Sequence, residues 1–211
     1  MKEYNYYLFD LDGTLISTID MILECFRHSL QYAGNIKIDP EEIKSHVGLP
    51  LQKQFEIYLK DKPGIDYQKL KEYHMNYQLK IWQDHVYLYP GIRQTLEKLQ
   101  QLNKTMAVVT SRKIKTTTIY TEKLGIRSFF KLLVTPENTE KHKPNPEPVL
   151  YTLSRLKADP GQSVFIGDSN FDIKCGTGAG IDTAFAAWGA SGKAPEQATC
   201  ILNKSTDILP D

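Results

Sequence analysis

Apolar residues follow two rhythms along the chain, and the rhythms divide it into regions. Short runs that are apolar on successive positions recur at residues 6–9, 105–110, 131–134, 163–166 and 183–187, with a weaker one at 199–202. Ala107-Val108-Val109 and Val164-Phe165-Ile166 have no polar face. Such runs predict strands covered on both sides, hence a parallel sheet flanked by helices. Between them the spacing becomes helical. Residues 91–102, after Pro90, carry Ile92, Leu96, Leu99 and Leu102; residues 114–124 stop at Gly125; residues 146–156 open on prolines and carry Val149, Leu150, Leu153 and Leu156.

From about Ser17 to Tyr87 the pattern is helical with no convincing strand. Ser17 and Asp20 resemble a capping box. Ile19, Ile22, Leu23, Phe26, Leu30 and Ala33 then form one apolar stripe that Gly34 ends. Asp39-Pro40-Glu41-Glu42 supplies an N-cap, a proline at the first helical position and an acidic first turn. Residues 51–59 and 67–82 predict two further helices. Tyr67, Tyr73 and Tyr77 on the last of these form a packing face rather than an aromatic binding box. The expected architecture is α/β: a Rossmann-like parallel-sheet core of residues 1–16 and 88–211, interrupted after its first strand by a helical insert, residues 17–87.

Composition narrows the partners. Lys and Arg number 26 against 25 Asp and Glu, a net charge of +1, which speaks against nucleic acid or an anionic membrane surface as the main partner. No apolar run reaches the length needed to span a bilayer. Met1-Lys2-Glu3-Tyr4 leads straight into a strand with no signal-peptide core, so a cytoplasmic location is expected. Cys25, Cys175 and Cys200 are odd in number and far apart, and are read as free thiols. Whether the chain is a monomer or a homodimer stays open.

The candidate chemistry lies at strand ends. Asp10 and Asp12 flank Leu11 just after the first run, so both carboxylates lie on one side of the chain. Alone, Asp-x-Asp-Gly also describes a solvated Asx-type turn. A second acidic cluster, Asp168 and Asp172, follows the run ending at Ile166 in the same way, with Asp168 as a helix N-cap a compatible alternative. Ligands bind at the carboxyl ends of strands in open parallel sheets, and carboxylates from two such ends can hold one hard divalent cation, read here as Mg²⁺. Two more strand ends add Thr110-Ser111, suited to phosphate oxygens, and Lys143, fixed before Pro144. Taken singly, Thr110 also reads as a strand-end turn and Lys143 as a solvated loop lysine.

Together these residues resemble the haloacid dehalogenase superfamily of phosphotransferases. Asp10-Leu11-Asp12-Gly13-Thr14, Val108-Val109-Thr110, Lys143-Pro144 and Gly167-Asp168-Ser169-Asn170-Phe171-Asp172 match its four motifs in order. The resemblance implies Asp10 as nucleophile, forming an aspartyl-phosphate, and Asp12 as general acid and base. It implies Mg²⁺ on the Asp10 carboxylate, the Asp12 carbonyl and Asp168, with Asp172 direct or behind them. Thr110, the Ser111 backbone and Lys143 would hold the phosphoryl oxygens. Asp12 favours phosphate ester or anhydride chemistry, since the dehalogenases and phosphonate-cleaving members lack that aspartate. The insert resembles the family's small helical cap, which implies a small phosphorylated metabolite as substrate.

Through VYLYPGIRQTLEKL (86–99), VVTSRK (108–113), KPNPEPVL (143–150) and AGIDTAFAAWGASG (179–192), the chain is similar within the family to phosphoglycolate phosphatases and related pyrophosphatases. Arg112 stands where relatives often have Lys or Asn. A β-phosphoglucomutase-like phosphotransferase is a weaker alternative, because Gly48-Leu49-Pro50-Leu51 lacks that group's arginine. A phosphate- or metal-binding module on a degenerate fold is the non-enzymatic alternative. His46 and Arg27 are the candidate substrate contacts from the insert, each with surface or packing roles as its alternative.

Overall fold

A computed structural model gives the fold; it describes all 211 residues except Gly48, Pro50, Asp61, Ser191 and Asp211. The Gly48-Leu49-Pro50 loop thus lies partly outside the described residues. The chain forms two compact units, Met1–Ser17 with Tyr87–Asp211, and Thr18–Val86.

The first unit is built on a six-stranded sheet. Its strands are β1 (Tyr6–Phe9), β4 (Thr105–Val109), β5 (Phe130–Val134), β6 (Ser163–Gly167), β7 (Asp182–Ala186) and β8 (Cys200–Leu202), in the order β5-β4-β1-β6-β7-β8. Every neighbouring pair is parallel. The fold is thus the expected Rossmann-like α/β arrangement. The central strands lack a polar face because both faces are buried. Leu8 and Phe165 are register partners and join Val109 and Val134 beneath α7 (Glu147–Leu156) and α8 (Asn170–Gly178). Alternate residues point to the opposite face, where Tyr7 stacks on Phe9 and Phe9 meets Phe130 edge-on. Helices α5 (Ile92–Gln101) and α6 (Ile114–Lys123) are joined by Arg93, which donates to the carbonyls of Leu124 and Gly125. Leu150, read from its spacing as part of the apolar stripe of α7, is 48% exposed; Thr152 is buried with Val149 and Leu153 instead.

Two short strands bracket the departure of the chain. β2 (Ile16–Ser17) pairs antiparallel with β3 (Tyr87–Leu88), Ile16 opposite Leu88 and Ser17 opposite Tyr87. Two-residue strands carry too little periodicity to register in a sequence pattern. The pairing also corrects the expected capping box. Ser17 belongs to β2, and Thr18 is the N-cap of α1 (Ile19–Tyr32), without a side-chain capping bond.

The second unit is all-helical: α1, α2 (Pro40–Ser45), α3 (Leu51–Tyr58) and α4 (Tyr67–His85). Asp39 caps α2 as expected, accepting from the Glu41 N–H at 2.8 Å, and Asp66 caps α4. Phe26, Leu30, Ile43, Phe55, Leu59 and Leu70 form its core. Tyr73 and Tyr77 of α4 stack on His28 of α1, and Tyr73 also stacks on Tyr32. They serve as a helix-packing face.

Candidate active site

Because the sheet is parallel, the carboxyl ends of β4, β1 and β6 lie side by side, and β5 follows β4. Asp10 leaves the central strand, its N–H donating to the Ile166 carbonyl at 2.9 Å. Thr110 leaves β4 on one side, and Gly167-Asp168 leave β6 on the other. The turn after Asp10 is tight: Leu11 is buried, and its carbonyl accepts from Leu15 and Ile16. Gly13 sits at φ 82°, and a Cβ there would lie 2.3 Å from Asp168 Oδ2. Only glycine fits that place, on both backbone and packing grounds. Gly167 is constrained by packing alone, with Asp172 Cβ 2.3 Å from where its own Cβ would stand.

The structure brings together Asp10, Asp168 and Asp172, each with one carboxylate oxygen within 4.8 Å of those of the other two. Lys143 joins them, donating to Asp10 Oδ1 and to Asp172 Oδ1, each at 2.6 Å. Asp10, Lys143 and Asp172 are almost wholly shielded from solvent. Burial pushes the Asp10 carboxyl up to about 7; Lys143 opposes the shift, and Asp172 and Asp12 add to it. Asp168 is raised well above the usual carboxylate range by burial, then by Asp10 and Asp172. Burial works against the Lys143 ammonium too, but the two carboxylates outweigh it and hold its pKa above the ordinary value.

Three carboxylates face one ammonium. Buried charges are expected to come paired, so the surplus is met by protonation, in the direction that the raised Asp10 and Asp168 carboxyls show, or by more positive charge. The donors are all hard oxygens, closely spaced, which fits a divalent cation of the Mg²⁺ or Ca²⁺ kind. Asp172 has both oxygens engaged: Oδ1 by Lys143, and Oδ2 by the N–H and hydroxyl of Ser169. Ser169, not Asp168, is the N-cap of α8, in a reciprocal capping box with Asp172. That corrects the alternative reading of Asp168, which instead accepts from the Thr14 hydroxyl at 3.2 Å.

Asp12 is not part of this cluster. Its carboxylate is held by Arg112 through two bonds, Nε to Oδ2 at 2.8 Å and Nη2 to Oδ1 at 2.7 Å. The guanidinium lies 4.6 Å from the centre of the Tyr120 ring, and the Arg112 N–H donates to Thr110 Oγ1 at 3.1 Å. Burial disfavours the charge on Arg112, but Asp12 more than compensates and raises its pKa further. Thr110 is buried at its strand end, whereas Ser111 is exposed; together with His142 and Lys143 they line a small cleft.

Of the insert candidates, Arg27 is exposed and paired to Glu24 through two bonds, and His46 caps α2 with Nδ1 3.2 Å from the Tyr58 hydroxyl. Three contributors escaped the sequence reading. Thr14 anchors Asp168, Ser169 anchors Asp172, and Trp188 donates from Nε1 to the Thr14 carbonyl at 2.9 Å. Only Ser169 left a signal, the Ser-x-x-Asp spacing of a capping box.

A family model described as haloacid dehalogenase-like hydrolase matches residues 7–186. The chain is 31% identical over 214 residues to the pyrophosphatase PpaX of Bacillus velezensis, covering 99% of this chain and 96% of that one. It is 33% identical over 213 residues to the pyrophosphatase PpaX of Bacillus pumilus, covering 97% and 94%. Among solved structures, a predicted phosphoglycolate phosphatase from Haemophilus somnus superposes with a TM-score of 0.86 at 23% identity, covering 99% and 97% of the two chains. The chain therefore belongs to the haloacid dehalogenase-like hydrolase family. It is an enzyme of that family's phosphatase class.

Proposed function

We propose that the chain is a Mg²⁺-dependent phosphohydrolase acting on a small phosphorylated metabolite through an aspartyl-phosphate. The observation that carries this is the buried excess of negative charge, Asp10, Asp168 and Asp172 around the single ammonium of Lys143. Asp10 and Asp168 would hold the cation, together with the Asp12 carbonyl that the family resemblance assigns. The ion would offset the surplus charge and polarise the phosphoryl oxygens. Asp172, with Lys143 on one oxygen and Ser169 on the other, orients the lysine and adds charge behind the ion.

Asp10 attacks phosphorus, and the bond from phosphorus to the leaving oxygen breaks as Asp12 delivers a proton to that oxygen. Asp12 then takes a proton from water as the water attacks phosphorus. Orthophosphate leaves and the Asp10 carboxylate is restored. Lys143, Thr110 and the Ser111 backbone hold the phosphoryl oxygens throughout. To the helical unit we assign the family's capping role.

Pyrophosphate is the first compound to assay, because the relatives at 31% and 33% identity are pyrophosphatases. Phosphoglycolate, suggested by the sequence motifs, is the second. The test is phosphate release from both with Mg²⁺, with and without EDTA, by the unmodified protein and Asp10→Asn. Release abolished by chelation and by Asp10→Asn is expected; full turnover by Asp10→Asn would overturn the nucleophile assignment.

A further inference from the structure

We propose that Arg112 sets the substrate preference of this site. Its guanidinium receives a second anionic group, a carboxylate or phosphate on the leaving side of the substrate, where the Asp12 carboxylate sits in the structure. The inference rests on the phosphatase assignment and names the substrate class within it.

The geometry supplies the receptor. The two bonds to Asp12 show that the guanidinium fork is shaped and aimed for a carboxylate or a phosphate edge. The Tyr120 ring and the bond from the Arg112 N–H to Thr110 Oγ1 fix the residue beside a hydroxyl assigned to the transferring phosphoryl group. The side chain of Arg112 is 15% exposed and that of Asp12 30%, so the guanidinium is the more deeply buried partner.

Charge then imposes an exchange. With both oxygens held by Arg112, Asp12 cannot also bond the leaving oxygen in the same pose. Turning it toward that oxygen would strand a largely buried guanidinium, which is strongly unfavourable. A substrate with a second anion offsets that cost by taking the vacated fork. A substrate whose leaving group is a neutral alcohol does not. The pair thus couples release of the acid/base group to the charge of the leaving group.

The test compares kcat/KM for pyrophosphate, 2-phosphoglycolate and 2-hydroxyethyl phosphate, the last two differing in a carboxylate against an alcohol. The unmodified protein is expected to favour at least one of the two substrates with a second anion over 2-hydroxyethyl phosphate by about 30-fold or more. Arg112→Gln is expected to shrink that preference to within about threefold, whatever the overall rate. Should that variant fail to fold, Arg112→Lys, which keeps the charge and loses the fork, is expected to lose at least about threefold of the preference. An unmodified protein without the preference, or a variant that keeps it while losing rate on all three substrates, would overturn the inference and leave Arg112 as a residue that only positions Asp12. Absence of phosphate release from all three by the unmodified protein would instead bring down the phosphatase assignment, and the inference with it.

Discussion

In the helical unit one buried polar pair is Ser29 and His74, with Oγ 3.0 Å from Nδ1 and the imidazole ring packed against Phe26 and Phe55. In the α/β unit the charged cluster is buried Asp10, Asp172 and Lys143 with half-buried Asp168. Both sets are hydrogen-bonded and largely shielded, with Asp168 the more open member. They differ in charge. Burial lowers the pKa of His74 to about 4, so the imidazole is neutral and the pair asks for nothing further. The aspartate cluster holds three acids against one base, and its closely spaced oxygens could hold a cation. Burial of polar groups alone does not mark a working site; burial that leaves charge unbalanced does.

The sharpest way to break this contrast is to remove the ammonium inside the aspartate cluster. Lys143→Met leaves the three carboxylates unpaired, and is expected to lower the stability of the α/β unit by about 3–5 kcal/mol in chelator, measured by denaturant unfolding. It should also abolish phosphate release. Stability equal to that of the unmodified protein would show that the cluster does not depend on the lysine.

Asp12, outside the cluster, should matter for turnover. Asp12→Asn is expected to cut kcat by roughly 10²–10⁴-fold, the ordinary contribution of a general acid or base. Single-turnover kinetics would check this, and an unchanged rate would reassign the proton transfer.

The neutral pair makes a smaller, pH-dependent prediction. In the unfolded chain His74 titrates near the ordinary value of 6.5, and in the fold near 4. Between those values the unfolded chain binds a proton that the folded one refuses, so acid favours unfolding. The stability is present above pH 6.5 and is lost as pH falls toward 4, by up to about 3 kcal/mol in all. Unfolding of the helical unit should show this slope, and His74→Gln should flatten it. A slope unaffected by the substitution would place the pH dependence elsewhere.

What could be read from sequence followed from period and charge. The four inner strands announced themselves as apolar runs, because a sheet buried on both faces leaves little room for polar residues; the edge strands, with Lys131 and Ile201 exposed, gave a less even signal. Asp10, Asp168 and Lys143 were legible because acids and a cation recur just past such runs. The β2–β3 pairing was not, since two residues carry no period. Nor was the side-chain pairing of Asp12 with Arg112, which are 100 positions apart and meet only because β4 lies beside β1. Thr14 looked like the start of the path into the insert, yet its hydroxyl fixes Asp168. No local pattern records a bond made across the sheet.

The central claim is that the aspartate cluster is out of balance until a divalent cation joins it. Thermal unfolding of Asp168→Asn beside the unmodified protein, at pH 7 with EDTA and then with Mg²⁺, tests this most directly. In EDTA the variant should unfold at a higher temperature, by about 2–4 °C for each kcal/mol of repulsion removed. Saturating Mg²⁺ should raise the transition of the unmodified protein, by about 2.7 kcal/mol at a hundred times its Kd, and leave the variant nearly unmoved. A variant less stable in EDTA, with an unmodified protein indifferent to Mg²⁺, would contradict the account and make the cluster a structural network complete in itself.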